Sequence, residues 1–176
     1  MKRYLLFTVF ISGMTVLAAE LTAGRLIGNV FGTSNLVWAS IIGLILIYLT
    51  FGYFLGGKWA DNDPTPTAMY RILAWAAFTI ALVPYIAVPV LRFAASAFEA
   101  LSVGILAGSF IVVLILFIVP ITLMGTISPY AIRLSVDDAS KAGQISGQIY
   151  AVSTLGSFIG TFLPTLIFIP TIGTTK

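Results

Sequence analysis

Five apolar runs, separated by short polar segments, follow one another along the chain. A membrane-spanning helix needs about 20 predominantly apolar residues, and each run is long enough to form one. We therefore predict an all-α fold: a polytopic membrane helix bundle, kinked at prolines, that forms a single transmembrane domain over residues 1–176. The predicted spans are residues 4–29, 34–57, 67–91, 101–128 and 142–169.

The polar segments predict the connections between these spans. Residues 61–66 are rich in turn-forming residues, and residues 92–100 fit a short amphipathic connection. Ser135, followed by Asp137 and Asp138, fits a helix N-cap with acids in the first turn. We favour this capping role for the acidic pair over a catalytic one.

The composition supports a lipid bilayer as the surroundings of the chain. Hydrophobic residues make up 59% of it and charged residues 9%, with a mean hydropathy of +1.07, whereas soluble domains carry about 25% charged residues. A net charge of +3 is too small to indicate nucleic-acid binding, and the chain contains no Cys and no His. We therefore predict no cofactor and no metal site.

The basic residues predict the orientation in the membrane. Six Lys and Arg residues fall on the N-terminal side of the predicted topology and three on the opposite side. The positive-inside rule then predicts an integral protein of a bacterial or archaeal cytoplasmic membrane with its N-terminus on the cytoplasmic side. Lys2 and Arg3 before the first apolar run would also fit a signal peptide. The helical pattern continues to Gly28, however, which favours a span.

Prolines interrupt the fourth apolar run and the segment after it. A proline in a helix offers no N–H to the carbonyl four residues before it. In lipid such a carbonyl must be packed against protein or line a wet cavity. The candidate kink segment consists of Pro120, Met124, Gly125, Pro129 and Arg133. Pro84 and Pro89 predict a second bend, in span three.

Glycines four residues apart occur in four of the five predicted spans. This spacing lets helix backbones approach closely, so we predict close packing within the chain or between copies of it. The alternative is that glycine is simply common in membrane helices. The candidate packing positions are Gly52, Gly56, Gly104, Gly108, Gly143, Gly147, Gly156 and Gly160.

Four charges near the predicted outer face form a candidate cluster: Glu20, Arg25, Arg92 and Glu99. An ionisable group within the membrane costs several kcal/mol unless it is paired or hydrated. The cluster could lock spans one and three together, which we favour, or form a ligand-binding vestibule.

Span five carries an unusual number of hydrogen-bonding side chains: Gln144, Ser146, Gln148, Tyr150, Ser153, Thr154 and Ser157. They suit hydrogen bonds between helices, which is the commoner use, and they equally suit the lining of a solute path.

Several motifs together resemble the membrane region of the spermidine synthase-like integral membrane proteins, also called fused transporter/spermidine synthases. They cover nearly the whole chain. They are Ser12-Gly13, Glu20, Arg25–Gly28, the glycine-rich residues 52–57, Pro120-x-x-x-Met124-Gly125-x-x-x-Pro129, residues 147–160 and residues 169–174.

The resemblance implies a partner. Full-length members of that family carry a C-terminal Rossmann-like aminopropyltransferase domain, but this sequence contains no Gly-x-Gly turn, so no catalytic residue can be carried over. We expect either a fragment of a longer protein or a separate subunit.

Three functions follow from these patterns. The first, which we favour, is a non-catalytic membrane module that anchors or assembles with a soluble aminopropyltransferase-like partner. The second is a transporter-like half-bundle for a small solute. The third is a structural subunit of a larger membrane complex, with a second copy of the chain as one candidate partner. An enzyme acting alone is the hypothesis that we favour least, because the sequence offers no pattern that would pair a nucleophile with a base.

Overall fold

The computed structural model describes the backbone of residues 3–101 and 105–172 and the side chains of residues 3–96 and 107–171. Every element in these ranges is helical. The helices are α1 (Arg3–Phe31), α2 (Asn35–Asn62), α3 (Pro66–Leu101), α4 (Ile105–Gly125), α5 (Ile127–Ser135), α6 (Ala142–Leu163) and α7 (Ile169–Ile172), with a 3₁₀ turn at Ala139–Lys141 and a π-helical turn at Pro164–Phe168.

Among the described residues, five segments are long and apolar enough to cross a membrane: Arg3–Phe31, Asn35–Asn62, Pro66–Ser96, Ala107–Ser135 and Ala139–Thr171. This confirms the predicted fold class, an all-α bundle with five candidate spans. The fourth span combines α4 and α5, which are separated by a break at Thr126.

Two of the predicted connections differ from the structure. Residues 92–100 continue α3, which also runs through both of its prolines. Ser135 ends α5 instead of capping the next helix, and its buried hydroxyl has no hydrogen-bond partner among the described residues. The cap is Asp138, whose carboxylate accepts a hydrogen bond from the Ser140 N–H at 2.9 Å. This bond and a second one with the Ser140 side chain lower the pKa of the Asp138 carboxyl.

Each of the long helices packs against at least one other long helix. α6 lies along α1, while α4 lies between α2 and α3, and α5 rests on α2. The largest buried cluster joins α1, α2, α3 and α4, and a smaller one around Leu5, Met69, Tyr130 and Ile149 joins the beginning of α1 to α3, α5 and α6. Large apolar side chains on the outside, such as Phe54 at 76% exposure, suit contact with lipid.

Side-chain contacts gather several helix ends at one end of the bundle. The Tyr130 hydroxyl donates to the Asp63 carbonyl oxygen at 2.5 Å, and the Arg133 side chain pairs with Asp61 at 2.9 Å. Nine of the charged residues that the structure describes, all of them exposed, lie at this end: Arg3, Lys58, Asp61, Asp63, Arg71, Arg133, Asp137, Asp138 and Lys141. We call this surface the charged end; the chain has fifteen Lys, Arg, Asp and Glu residues altogether.

Candidate functional site

The break between α4 and α5 brings a helix backbone into contact with α2. An added Cβ atom at Gly52 would lie 2.8 Å from the Gly125 Cα, and one at Gly56 would lie 2.5 Å from the Thr126 Cα. Both neighbours are backbone atoms, so glycine is required for this approach. The Thr126 hydroxyl donates a hydrogen bond to the Leu123 carbonyl oxygen at 2.7 Å, within its own segment of the chain.

Within the kink segment, α4 continues through Pro120 and ends at Gly125. Pro129 has no N–H to offer the Gly125 carbonyl, which helps to explain a break at this point. Met124 is buried, whereas Arg133 lies at the charged end in its ion pair with Asp61. The five predicted residues therefore belong to two places in the fold, and not to one site.

A polar cavity of about 200 Å³ lies at this break, between α1, α2, α6 and the junction of α4 with α5. We call it the hydroxyl cavity. Its lining residues are Ser12, Gly13, Val16, Leu17, Leu49, Tyr53, Met124, Gly125, Ser128, Tyr150, Ser153, Thr154 and Ser157.

Several of the cavity hydroxyls are held by backbone carbonyls. The Ser157 hydroxyl donates to the Gly13 carbonyl oxygen at 3.2 Å. The Thr154 hydroxyl donates to the carbonyl oxygen of Tyr150 at 2.8 Å. The Ser12 hydroxyl lies 3.5 Å from the Met124 carbonyl oxygen, a long contact. The oxygen lone pairs of these hydroxyls remain free to accept further hydrogen bonds.

Close packing of α6 on α1 forms one wall of the cavity. Gly13 faces the Ser153 backbone, and Gly156 and Gly160 face the backbones of Phe10 and Met14. An added Cβ at any of these three glycines would collide with a carbonyl oxygen. The Ser and Gly positions of α6 are therefore held in a fixed register against α1.

The cavity lies well inside the candidate spans. Ser12 is nine residues beyond Arg3, which corresponds to about 14 Å along α1 at 1.5 Å per residue. The hydrocarbon core of a bilayer is about 30 Å thick. In a bilayer that α1 crosses from Arg3, the Ser12 hydroxyl lies within the hydrocarbon core, where polar groups usually face protein or water.

The remaining glycines differ in their surroundings. Gly108 lies against the Phe31 ring, 2.5 Å from an added Cβ. Gly143 and Gly147 have nothing within 4 Å of such an atom, so their open side meets no other part of the described chain. Gly104 lies outside the described residues.

The four predicted cluster charges are not joined by ion pairs where the structure describes their side chains. Glu20 is half-buried in α1, while Arg25 and Arg92 are exposed. Among the described side chains, the one ion pair is that of Arg133 with Asp61. The Glu99 side chain lies outside the described residues, so the complete four-charge cluster stays a prediction.

Sequence reasoning missed part of the cavity. It singled out the polar face of span five and the kink segment, but it did not connect them with Tyr53 or Ser128. Ser128 immediately precedes Pro129, and a polar residue next to a helix-breaking proline was an available signal. Tyr53 gave none, because its position near the cavity depends on how α2 meets α6.

Comparison with known proteins adds no assignment: no protein-family model, curated protein or solved structure matches the chain. Within the described residues, no group of three or more His, Cys, Asp and Glu side chains could hold a metal ion.

Proposed function

We propose that this chain is a non-catalytic integral membrane module that assembles with a soluble aminopropyltransferase-like partner at its charged end. The observation that carries the proposal is the concentration of nine exposed charges of both signs on that one surface. Mixed charges of this kind steer and orient a partner more than they add affinity. The resemblance of the sequence to the membrane region of spermidine synthase-like proteins supports the identity of the partner.

The rest of the surface supports the same arrangement. The sides of the bundle expose apolar residues that suit lipid, such as Phe7, Phe54 and Phe158, and a soluble protein would not bind there. The positive-inside rule would place the charged end in the cytoplasm, where an enzyme of this class would meet its substrates. Chemistry would then come from the partner, with the bundle holding it at the membrane.

Affinity purification of the tagged chain from gently solubilised membranes tests this proposal. We expect an aminopropyltransferase-like protein to co-purify, and its amount to fall when Arg71 and Arg133 are both changed to Gln. The matched control is Arg25→Gln with Arg92→Gln. It also removes two positive charges, but from positions outside the charged end. Equal recovery with both double variants, or no such protein with the unaltered chain, would overturn the proposal.

The second candidate function is passage of a small solute through a transporter-like half-bundle. The hydroxyl cavity favours it, because transporters place binding sites at membrane depth beside broken helices. Uptake into liposomes containing the purified chain is the test. No uptake of any polar solute would remove this candidate and would leave the partner proposal untouched.

A structural role in a larger membrane complex, including assembly of two copies of the chain, has one observation in its favour. Gly143 and Gly147 form an open face on α6 that another helix could approach closely. Gly147→Leu fills that space without disturbing the chain's own packing. A shift to a smaller assembly in size-exclusion chromatography with light scattering would support this role, and an unchanged mass would count against it.

A further inference from the structure

We propose that the hydroxyl cavity binds a small uncharged polyol, between glycerol and a hexose in size. This goes beyond assembly with a partner at the charged end and does not depend on it. It follows from three properties of the cavity: the absence of charge on its walls, the balance of its hydrogen-bonding groups, and its volume.

Within the part of the chain that the structure describes, no charged side chain lines the cavity. The nearest carboxylate along α1 is Glu20, which lies three residues beyond the lining residue Leu17, about 5 Å further along the helix axis, and is not itself part of the lining. A charged ligand at this depth would lose its hydration without gaining a counter-charge in contact. The cavity therefore favours an uncharged ligand over an ammonium or a carboxylate.

The polar side-chain atoms that line the cavity are hydroxyl oxygens. Because the Ser157 and Thr154 hydroxyls donate to backbone carbonyls, their oxygens face a ligand mainly as acceptors. The Tyr53, Tyr150 and Ser153 hydroxyls can still donate. A ligand with several O–H groups satisfies both kinds of wall group, since each of its hydroxyls donates one hydrogen bond and accepts others.

The volume and the apolar part of the lining set the size of the ligand. A cavity of about 200 Å³ corresponds to roughly six or seven water molecules at their liquid volume of about 30 Å³ each. Val16, Leu17 and Leu49 provide surfaces for C–H groups, as do the rings of the two tyrosines. Such alternation of apolar and hydroxyl groups matches the carbon chain or ring of a polyol.

Equilibrium binding of radiolabelled glycerol, sorbitol and glucose to the full chain in lipid nanodiscs tests the assignment. We expect saturable binding of at least one of them. The double variant Ser153→Ala with Ser157→Ala removes two hydroxyls from the cavity wall and adds no side-chain bulk that could block the ligand. It should weaken binding about tenfold, the effect of losing one or two hydrogen bonds.

The matched control is Ser96→Ala with Thr50→Val, because both hydroxyls are exposed, lie outside the cavity and donate within their own helices. These changes should leave binding unaltered. Circular dichroism and gel filtration establish that every variant is folded.

Three results would overturn the inference: no saturable polyol binding by the folded chain, equal binding by the serine variant and the control, or tighter binding of labelled putrescine that depends on the same serines. The last result would show that the cavity takes a cation. None of them bears on co-purification through the charged end.

Discussion

The contact between α1 and α6 makes a quantitative prediction for two glycines on the same helix. Gly156 faces the Phe10 backbone, and an added Cβ would collide with the carbonyl oxygen and lie 2.9 Å from the carbonyl carbon. Gly147 belongs to the same helix and has nothing within 4 Å. Gly156→Ala and Gly147→Ala therefore introduce the same methyl group into a closed and an open environment.

The size of the difference follows from two opposing effects. Replacing a mid-helix glycine with alanine stabilises a helix by about 0.5–1 kcal/mol, and this gain applies to both variants. Overpacking a closed contact costs about 1–3 kcal/mol, and this cost applies at Gly156 alone. Because the helix gain cancels in the comparison, the two variants should differ in free energy of unfolding by about 1–3 kcal/mol, with Gly147→Ala the more stable.

Reversible unfolding in mixed micelles, followed by far-ultraviolet circular dichroism, measures this difference. Gly143→Ala, at the second residue of α6, provides a second open position as a control and, like Gly147→Ala, should carry no overpacking cost. If Gly156→Ala proved as stable as the two controls, α6 would not pack on α1 in the register described, and the wall of the hydroxyl cavity would be misplaced with it.

Three further predictions concern the charged end. In intact cells, an impermeant thiol reagent should label Thr33→Cys but not Asn62→Cys, since the chain has no native Cys; the reverse pattern would invert the topology. Tyr130→Phe removes the hydroxyl that donates to the Asp63 carbonyl and should lower the free energy of unfolding by about 1 kcal/mol in the same micelle assay; no change would mean that water replaces this bond without loss. The lowered pKa of Asp138 means that its cap is fully formed above the ordinary carboxyl pKa and is lost as the pH falls through the lower folded-state value. The protection factor of the capped N–H, which corrects the exchange rate for the slowing of intrinsic exchange in acid, should therefore fall at that acidic pH, and it should already be low at neutral pH in Asp138→Ala.

Much of the fold could be predicted because hydropathy is a local property. Runs of apolar residues long enough to span a bilayer identified the five helical segments, with boundaries that differ from the structure mainly where a helix continues past its apolar part. The connection at residues 92–100 was wrong for that reason: its amphipathic pattern is compatible with a helix, and nothing in it ends α3.

The sequence predicted separate parts of the candidate site but not that they meet in one cavity. The polar residues of span five and the prolines of the kink segment are visible in the sequence because both are unusual in a membrane helix. Their meeting with Ser12 and Tyr53 in one cavity depends on the angle and register at which four segments pack. The predicted charge cluster shows the same limit, since Glu20 and Arg92 share a predicted face of the membrane but form no ion pair.

The two glycine pairs of α6 show which features the sequence determines and which only the tertiary structure determines. In sequence, Gly143 with Gly147 and Gly156 with Gly160 carry the same four-residue spacing, and this alone determines that each pair forms a flat patch on one side of a helix. Only the tertiary structure determines that the second pair is closed by the backbone of α1 while the first is open. The spacing fixes where a helix can be approached, whereas the paths of the other helices decide whether anything approaches it.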